Sequence, residues 1–256
     1  GENRNAALAY ERLRVLDDAS PLITDAQLRA AEQYLAAGLY QKAMDAAFYV
    51  LEQEKNHLKR LNARYFVAKA HYGLYNYQDA LQVLEDFSSA TLENDLEIQI
   101  LALKSDVYEK LGRYSKADSL VHFVLRQPVA NPELGKMAVD LASSLHHQKR
   151  YAESDAVIEL SLDKVKQDSL RNDLLFVFGD NAWAQGNYEN AASQYARIQF
   201  QKDNPEQPWL WFKQAMAAVH TQPDSAERFF TRVLQWEQDM DPWLYTKTAL
   251  EFAKLQ

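Results

Sequence analysis

The sequence contains no cysteine. This absence excludes disulfide bonds, thiolate nucleophiles and cysteine-based zinc sites, and it leaves the compartment undecided because such a chain functions in reducing or oxidising surroundings. Glycine and proline are also scarce, at 7 residues each in 256, which favours a folded, helix-rich chain. The strongly apolar run of residues 174–178 is far shorter than the roughly 20 residues of a membrane helix. We therefore predict that the chain of 256 residues does not insert into a membrane.

An excess of positive charge is missing as well. The chain carries 28 Lys and Arg against 36 Asp and Glu, a net charge of −8, which argues against non-specific binding to nucleic acid or to anionic membranes. The one basic cluster, Lys55, His57, Lys59 and Arg60, is short and crosses a predicted helix connection. It indicates a solvated helix end, and no nucleic-acid partner is predicted.

A tyrosine recurs every 37 residues through most of the chain. The five positions in this register are Tyr40, Tyr77, Tyr114, Tyr151 and Tyr188. A small residue follows each tyrosine by three positions, and another small residue lies twelve positions before that one. The later set is Ala43, Ala80, Ala117, Ser154 and Ala191, and the earlier set is Ala31, Ala68, Ser105, Ala142 and Gly179. A fixed period of this length is the signature of a repeat architecture.

The repeat pattern predicts two antiparallel helices per unit. A small residue on each helix lets the backbones approach closely, and the tyrosine fills the gap at the turn while its hydroxyl stays in water. Gly38, Gly112 and Gly186 precede three of the tyrosines by two positions and supply the turn, whereas Tyr75 and Lys149 occupy the other two places.

These features resemble the tetratricopeptide repeat family over residues 24 to 237. The matching features are the small residue of the first helix, the Gly-x-Tyr-x-x-Ala turn and the apolar second helix. The usual period of that family is 34 residues, so a period of 37 implies slightly longer helices or connections. The resemblance implies an all-α fold, a right-handed α-solenoid of antiparallel helix pairs with about fourteen helices and no sheet.

We predict a single solenoid over residues 1–256. Helix pairs are predicted at 24–37 and 40–55, 58–73 and 77–87, 93–111 and 114–126, 132–147 and 151–166, and 169–184 and 188–200. A sixth, irregular unit follows, in which the small residue is spaced by 35 positions from that of the previous unit. About six helix pairs therefore cover residues 24–237. Thr24 and Asp25 are predicted caps of the first pair, and Asn131-Pro132 is a predicted helix start.

The two ends of the sequence do not complete a repeat. Residues 4–17 read as the second helix of a preceding repeat, which makes them a partial repeat or an N-terminal cap helix. Asp241-Pro242 begins a C-terminal capping helix over residues 241–256, although Trp243 and Leu250 leave it rather apolar. These ends indicate a fragment of a longer protein or a mature form.

The repeat register also predicts which residues face the concave groove. In each first helix, the residues one and four positions after the small residue project into it. They are Lys69, Tyr72, Asp106, Glu109, Ser143, His146, Asp180 and Trp183, joined one turn earlier by Tyr65 and Phe176. Some family members bind a terminal carboxylate with basic residues on this face. The acidic residues at comparable places here argue against that mode.

All five tryptophans lie after residue 182. They are predicted to fill an irregular core or to form an aromatic binding patch, for which Trp183 is the best candidate.

His146 and His147 point about 100° apart on one helix and cannot chelate a metal together. His71 is expected inside the fold with its polar atoms satisfied. No catalytic residue, cofactor or metal site is predicted, and an enzyme is not expected.

Three functions fit the sequence. The first is a non-catalytic interaction module or scaffold that binds a partner peptide or helix in its groove. The second is a ligand-sensing domain of a larger regulator, with a sugar or small peptide on the tryptophan-rich half. The third is an assembly scaffold of a secretion or envelope system, in which the chain ends carry the contacts, self-association included. Cytoplasmic and extracytoplasmic locations both fit.

Overall fold

The fold consists of helices joined by tight turns and short connections. A computed structural model describes residues 2–16, 22–85, 87, 95–127, 132–201, 204–236 and 240–255, without the side chains of residues 13–16 and 132. Within these ranges the secondary structure is entirely helical, with fourteen α-helices. The chain separates into two compact units, Gly1–Gln127 and Pro128–Gln256. The prediction of one continuous solenoid stays a prediction.

Unit 1 contains seven helices. They are α1 Glu2–Leu16, α2 Ile23–Ala36, α3 Tyr40–Gln53, α4 His57–Gly73, α5 Tyr77–Glu85, α6 Asp95–Lys110 and α7 Tyr114–Arg126. One core cluster runs from Ala7 in α1 to Val107 in α6, and Tyr34, Leu81 and Leu84 are among its most deeply buried side chains.

Unit 2 contains the other seven helices. They are α8 Pro132–His147, α9 Tyr151–Leu162, α10 Asp168–Ala184, α11 Tyr188–Ala196, α12 Gln207–Val219, α13 Pro223–Leu234 and α14 Pro242–Leu255. Leu134, Ile158 and Leu174 are fully buried in its first half, and Phe230 is the largest of the fully buried residues in a cluster formed by α12, α13 and α14.

The five repeat turns share one backbone conformation. The residue two positions before each repeat tyrosine has a positive φ: Gly38 71°, Tyr75 62°, Gly112 70°, Lys149 62° and Gly186 75°. In the first turn, the N–H of Gly38 donates to the carbonyl of Leu35 at 3.0 Å, and that of Leu39 donates to Tyr34 at 2.8 Å. The other four turns repeat this pair of bonds, which satisfies the last carbonyls of each first helix. All five repeat tyrosines begin a helix, as predicted.

The small residues lie where the helices cross. The members of both sets, Ala43 to Ala191 and Ala31 to Gly179, are buried. At Gly179, an added methyl group would overlap the ring of Tyr195 from α11. The repeat pattern therefore reflects close helix contacts, as expected.

Cationic side chains cap the carboxyl ends of several second helices. Arg60 of α4 donates to the carbonyls of Leu51 and Glu54 at the end of α3, and Arg171 of α10 donates to Leu162 and Val165 at the end of α9. Arg60 and Arg171 differ by three repeat periods. Such bonds satisfy carbonyls that a helix end leaves without an internal partner, and they favour the negative end of the helix dipole.

Several predicted boundaries need correction. The cap at Thr24 is wrong, because α2 begins at Ile23 and the Thr24 hydroxyl donates to Glu54 instead. Helices α9 and α11 end four residues before their predicted ends, at Leu162 and Ala196. The predicted starts at Pro132 and Pro242 are confirmed. Asn131 and residues 93 and 237, which bound predicted elements, lie outside the described residues.

Candidate binding faces

The predicted groove residues fall into one set in each unit. The unit-1 face consists of Tyr65, Lys69, Tyr72, Asp106 and Glu109, on α4 and α6. The unit-2 face consists of Ser143, His146, Phe176, Asp180 and Trp183, on α8 and α10. All except Tyr65 are at least partly accessible to solvent.

The unit-1 face is built on stacked side chains of α4. Tyr65 is only 8% exposed, so it supports the face from beneath. The Nζ atom of the exposed Lys69 lies over its ring, 5.4 Å from the centroid, which is a cation–π distance. Tyr72 contacts Tyr77 at the following turn, with 5.4 Å between ring centroids. The outer surface of α4 therefore presents one lysine and one supported tyrosine beside the acidic Asp106 and Glu109 of α6.

An aromatic row forms the turn end of the unit-2 face. Trp183 is 40% exposed and meets Tyr188 edge to face at 6.2 Å between centroids. Tyr188 in turn stacks on His220 at 3.8 Å and 14°. The row holds Trp183 in position while its outer surface stays in solvent.

Asp180 pairs with groups of two neighbouring helices. Its Oδ1 accepts the hydroxyl of the fully buried Tyr195 and lies 2.8 Å from Lys213 Nζ. Burial, followed by the charge and hydrogen bond of Asp180, raises the pKa of Tyr195 far above its usual range. The Lys213 ammonium compensates the Asp180 charge, so this face is less acidic than its sequence indicates.

A polar network lies behind His146. The Nδ1 atom of His146 is 2.7 Å from Oδ1 of Asn181, whose side chain is fully buried. Asn181 also donates to Asp155 Oδ1 at 2.7 Å and to Ser154 Oγ at 2.8 Å. Burial raises the pKa of Asp155, and the hydrogen bonds from Asn181 and Gln185 act in the opposite direction.

The other two members of the unit-2 face contribute less surface. Phe176 lies between the rings of Tyr195 and Phe200, at 6.3 and 6.0 Å between centroids, and Ser143 is half-buried on α8. Trp183 is therefore the most exposed aromatic side chain of this face.

Comparison with known proteins identifies the fold. No protein-family model matches the chain, and no curated protein matches it in sequence. A tetratricopeptide repeat protein from Parabacteroides merdae is similar over 97% of this chain and 93% of its own, with 14% identity and a TM-score of 0.52. The C-terminal part of a TPR repeat-containing protein from Cytophaga hutchinsonii is similar over 89% of this chain and 83% of its own, with 13% identity and a TM-score of 0.61. The chain has the tetratricopeptide-repeat fold.

The tetratricopeptide-repeat fold confirms the predicted class, an all-α solenoid of antiparallel helix pairs. No helix in the described ranges is long and apolar enough to cross a membrane. The described residues also contain no group of three or more His, Asp or Glu arranged to bind a metal ion. The expectation for His71 is wrong, because its Nδ1 is buried and has no hydrogen-bond partner among the described residues.

Sequence reasoning missed the residues that support the faces. Lys213 and His220 belong to the irregular sixth unit, where the 37-residue register no longer places side chains. Asn181 gave no clear signal, because its place in the register holds the buried Ala70 and Val107 but also the partly exposed Gln33 and Ser144.

Proposed function

We propose that the chain is a non-catalytic interaction module, in which the first-helix faces bind an extended segment or a helix of a partner protein. The observation that carries this proposal is the exposed Trp183, held in place by Tyr188 and His220. Binding energy in protein interfaces concentrates on a few large aromatic residues. A side chain that is already ordered loses less entropy when a partner covers it.

The unit-1 face supplies a second candidate contact of the same kind. Tyr72 is held by Tyr77, and the exposed Lys69 lies over Tyr65. The face therefore combines an ordered tyrosine with a cation. A partner segment with apolar side chains and mixed charge would suit it.

The polar groups of the unit-2 face support a role in binding rather than in catalysis. Asp180 is paired with Tyr195 and Lys213, and Asn181 bonds to His146, Ser154 and Asp155. These bonds order the face. They also occupy the Asp180 carboxylate with a hydroxyl and an ammonium group.

Affinity purification with mass spectrometry tests the proposal. The wild-type chain and the Tyr72→Ala, Trp183→Ala double variant serve as bait, and at least one protein captured by the wild type is expected to be lost from the variant. Each single variant should weaken binding of that protein at least tenfold, the effect of losing about 1.4 kcal/mol or more. Phe48→Ala is the matched control, because it removes an exposed aromatic ring from α3, outside both faces and outside α14. Unchanged capture by the double variant would contradict the proposal.

A second candidate function has support from α14. Trp243, at 56% exposure, Tyr245 and Leu250 leave much of its outer surface apolar, and exposed apolar surface of this kind favours contacts at an interface. An assembly scaffold would use this helix, either for a partner or for self-association. Leu250→Lys should then lower the molar mass measured by light scattering, or abolish partner capture, while Trp183→Ala leaves both unchanged. The ligand-sensing alternative stays a prediction.

A further inference from the structure

Three polar side chains meet at one point of unit 2. Ser154 stands where the other four repeats have alanine, whereas Asn181 and His146 occupy places that hold both apolar and polar residues in the other repeats. The three polar side chains are linked by two contacts: His146 contacts Asn181, and Asn181 contacts Ser154. Burying such groups costs free energy unless each finds a partner.

The bonds of Ser154 and Asp155 fix the orientation of the Asn181 amide. The Ser154 hydroxyl donates to the carbonyl of Ala142 at 2.8 Å, so its oxygen is the acceptor toward Asn181. The Asp155 carboxylate, 2.7 Å away, also accepts. The Asn181 NH₂ group must therefore face these two oxygens, which turns its carbonyl oxygen toward His146.

This orientation sets the tautomer of His146. A carbonyl oxygen only accepts, so Nδ1 of His146, 2.7 Å from it, carries the proton. In the neutral ring, Nε2 then holds a lone pair. Nε2 makes no hydrogen bond within the described part of the chain, and it is not one of the buried unpaired nitrogens found there. It is therefore open to solvent.

We infer that Asn181 is a positioning residue, which holds His146 in the Nδ1-protonated form so that Nε2 accepts a hydrogen bond from a partner's amide N–H or hydroxyl. This inference rests on the proposed binding function of the unit-2 face and names the chemistry that the face selects. In the neutral ring it disfavours a partner carboxylate, because two acceptors would then face each other. The rings of Tyr151 and His147, 5.5 and 5.6 Å from that of His146, help to hold the imidazole in place.

Nitrogen-15 NMR of the free, full-length protein tests the tautomer without any partner. Long-range proton–nitrogen correlations distinguish a protonated ring nitrogen from one with a lone pair. His146→Gln identifies the His146 signals by their disappearance. The expected result for the neutral ring is a protonated Nδ1 and an unprotonated Nε2. The opposite tautomer, or an averaged mixture, would overturn the inference.

Two variants separate the positioning role from a role in folding. Asp155→Asn gives residue 155 a donor as well as an acceptor, so the Asn181 amide is free to turn and the His146 signals should shift toward a mixture of tautomers. Ser154→Ala keeps the Asp155 acceptor and should leave the tautomer unchanged. Far-ultraviolet circular dichroism checks that both variants are folded. An unchanged tautomer in folded Asp155→Asn would contradict the role of Asp155 in fixing the orientation of the Asn181 amide.

A selected peptide tests the binding half of the inference. A random-peptide phage library is panned on the wild-type chain, and the probe is a recovered peptide whose affinity falls in Trp183→Ala. His146→Leu should weaken this peptide about fivefold to tenfold, as expected for one lost hydrogen bond, whereas His146→Gln, which keeps an acceptor, should weaken it less. Tighter binding to His146→Arg would overturn the inference, since an acidic group would then be the ligand. If no Trp183-dependent peptide is recovered, the proposed function of this face fails, whatever tautomer the NMR shows.

Discussion

At the scale of single residues, five turns impose the same left-handed backbone on glycine, tyrosine and lysine. Gly38, Gly112 and Gly186 adopt it without a side-chain penalty, whereas Tyr75 and Lys149 adopt it at φ 62°. For a residue with a Cβ atom, this conformation costs roughly 1 kcal/mol. The two departures from the turn pattern are thus places where the backbone is strained.

Exchanging the residue types at two turns should move stability in opposite directions. Lys149→Gly should raise the free energy of unfolding by about 0.5–1 kcal/mol, since the relief of strain exceeds the added freedom of the unfolded chain. Gly112→Ala should lower it by about 1 kcal/mol, and the change is conformational because an added Cβ would meet no atom within 4 Å. Urea denaturation measures both. A loss of stability in Lys149→Gly would show that its side chain contributes more than the strain costs.

Gly179 is constrained by space rather than by backbone angle. A Cβ atom added at this position would overlap the ring of the buried Tyr195. Gly179→Ala should therefore destabilise unit 2 by about 1–3 kcal/mol through overpacking. In a Tyr195→Leu background the same substitution should cost less, because the ring is gone. A double-mutant cycle measured by denaturation checks this coupling. Equal costs in the two backgrounds would contradict the contact.

At the scale of helices, Glu54 joins three segments of unit 1. It follows α3 and accepts hydrogen bonds from the backbone N–H groups of Lys55 and Asn56, at 2.9 and 3.0 Å, and from Thr24 of α2 at 2.9 Å. Lys59 of α4 lies 3.4 Å away. The Asn56 backbone bond, followed by the bond from Thr24, lowers the pKa of Glu54 from 4.5 to about 2.

This lowered pKa predicts a pH dependence of stability. A carboxyl group whose pKa falls on folding stabilises the protein fully above its unfolded pKa, and this contribution disappears as the pH falls from about 4.5 toward about 2. Glu54→Gln should therefore melt at a lower temperature than wild type above pH 5, and the difference should shrink at lower pH. Glu52→Gln, an exposed carboxyl of α3, controls for the loss of one charge. A difference that is independent of pH would contradict the assignment.

The starts of the helices could be predicted from the sequence, but several of their ends could not. The starts follow from the register of the repeat tyrosines, and that register is set by small residues at helix crossings. The ends depend on bonds from other helices, as at Leu162, whose carbonyl accepts from Arg171 of the next helix. Such a bond leaves no sequence pattern near the helix end that it caps.

The candidate site shows the same division. The exposure of Trp183 could be predicted from the register, which places equivalent residues of the first helices on one face. The pairing of Asp180 with Lys213 could not be predicted in this way, because α12 belongs to the unit with a spacing of 35 and its side chains are out of the 37-residue register. A periodic pattern predicts where a side chain lies, and contacts between helices of unequal units require coordinates.

At the scale of the whole molecule, each unit has its own core. The unit-1 cluster includes α1 to α6, and that of α12 to α14 is confined to unit 2. Stability in repeat proteins is approximately a sum of the repeats and of the interfaces between neighbours. A contiguous set of helices that contains a whole core cluster should therefore fold when it is expressed alone.

Residues 1–127 are the sharpest test of that expectation. This fragment retains every member of the unit-1 cluster, so it should give a helical circular dichroism spectrum and a cooperative thermal transition. Residues 1–94 are the matched control, because that cut removes Ile100, Leu103 and Val107 from the same cluster. Loss of each such buried side chain costs several kcal/mol, a large part of a domain's stability, so the shorter fragment should melt at a much lower temperature or remain unfolded. If 1–127 showed no cooperative transition, unit 1 would depend on residues beyond Gln127, and the boundary between the units would not be a boundary in folding.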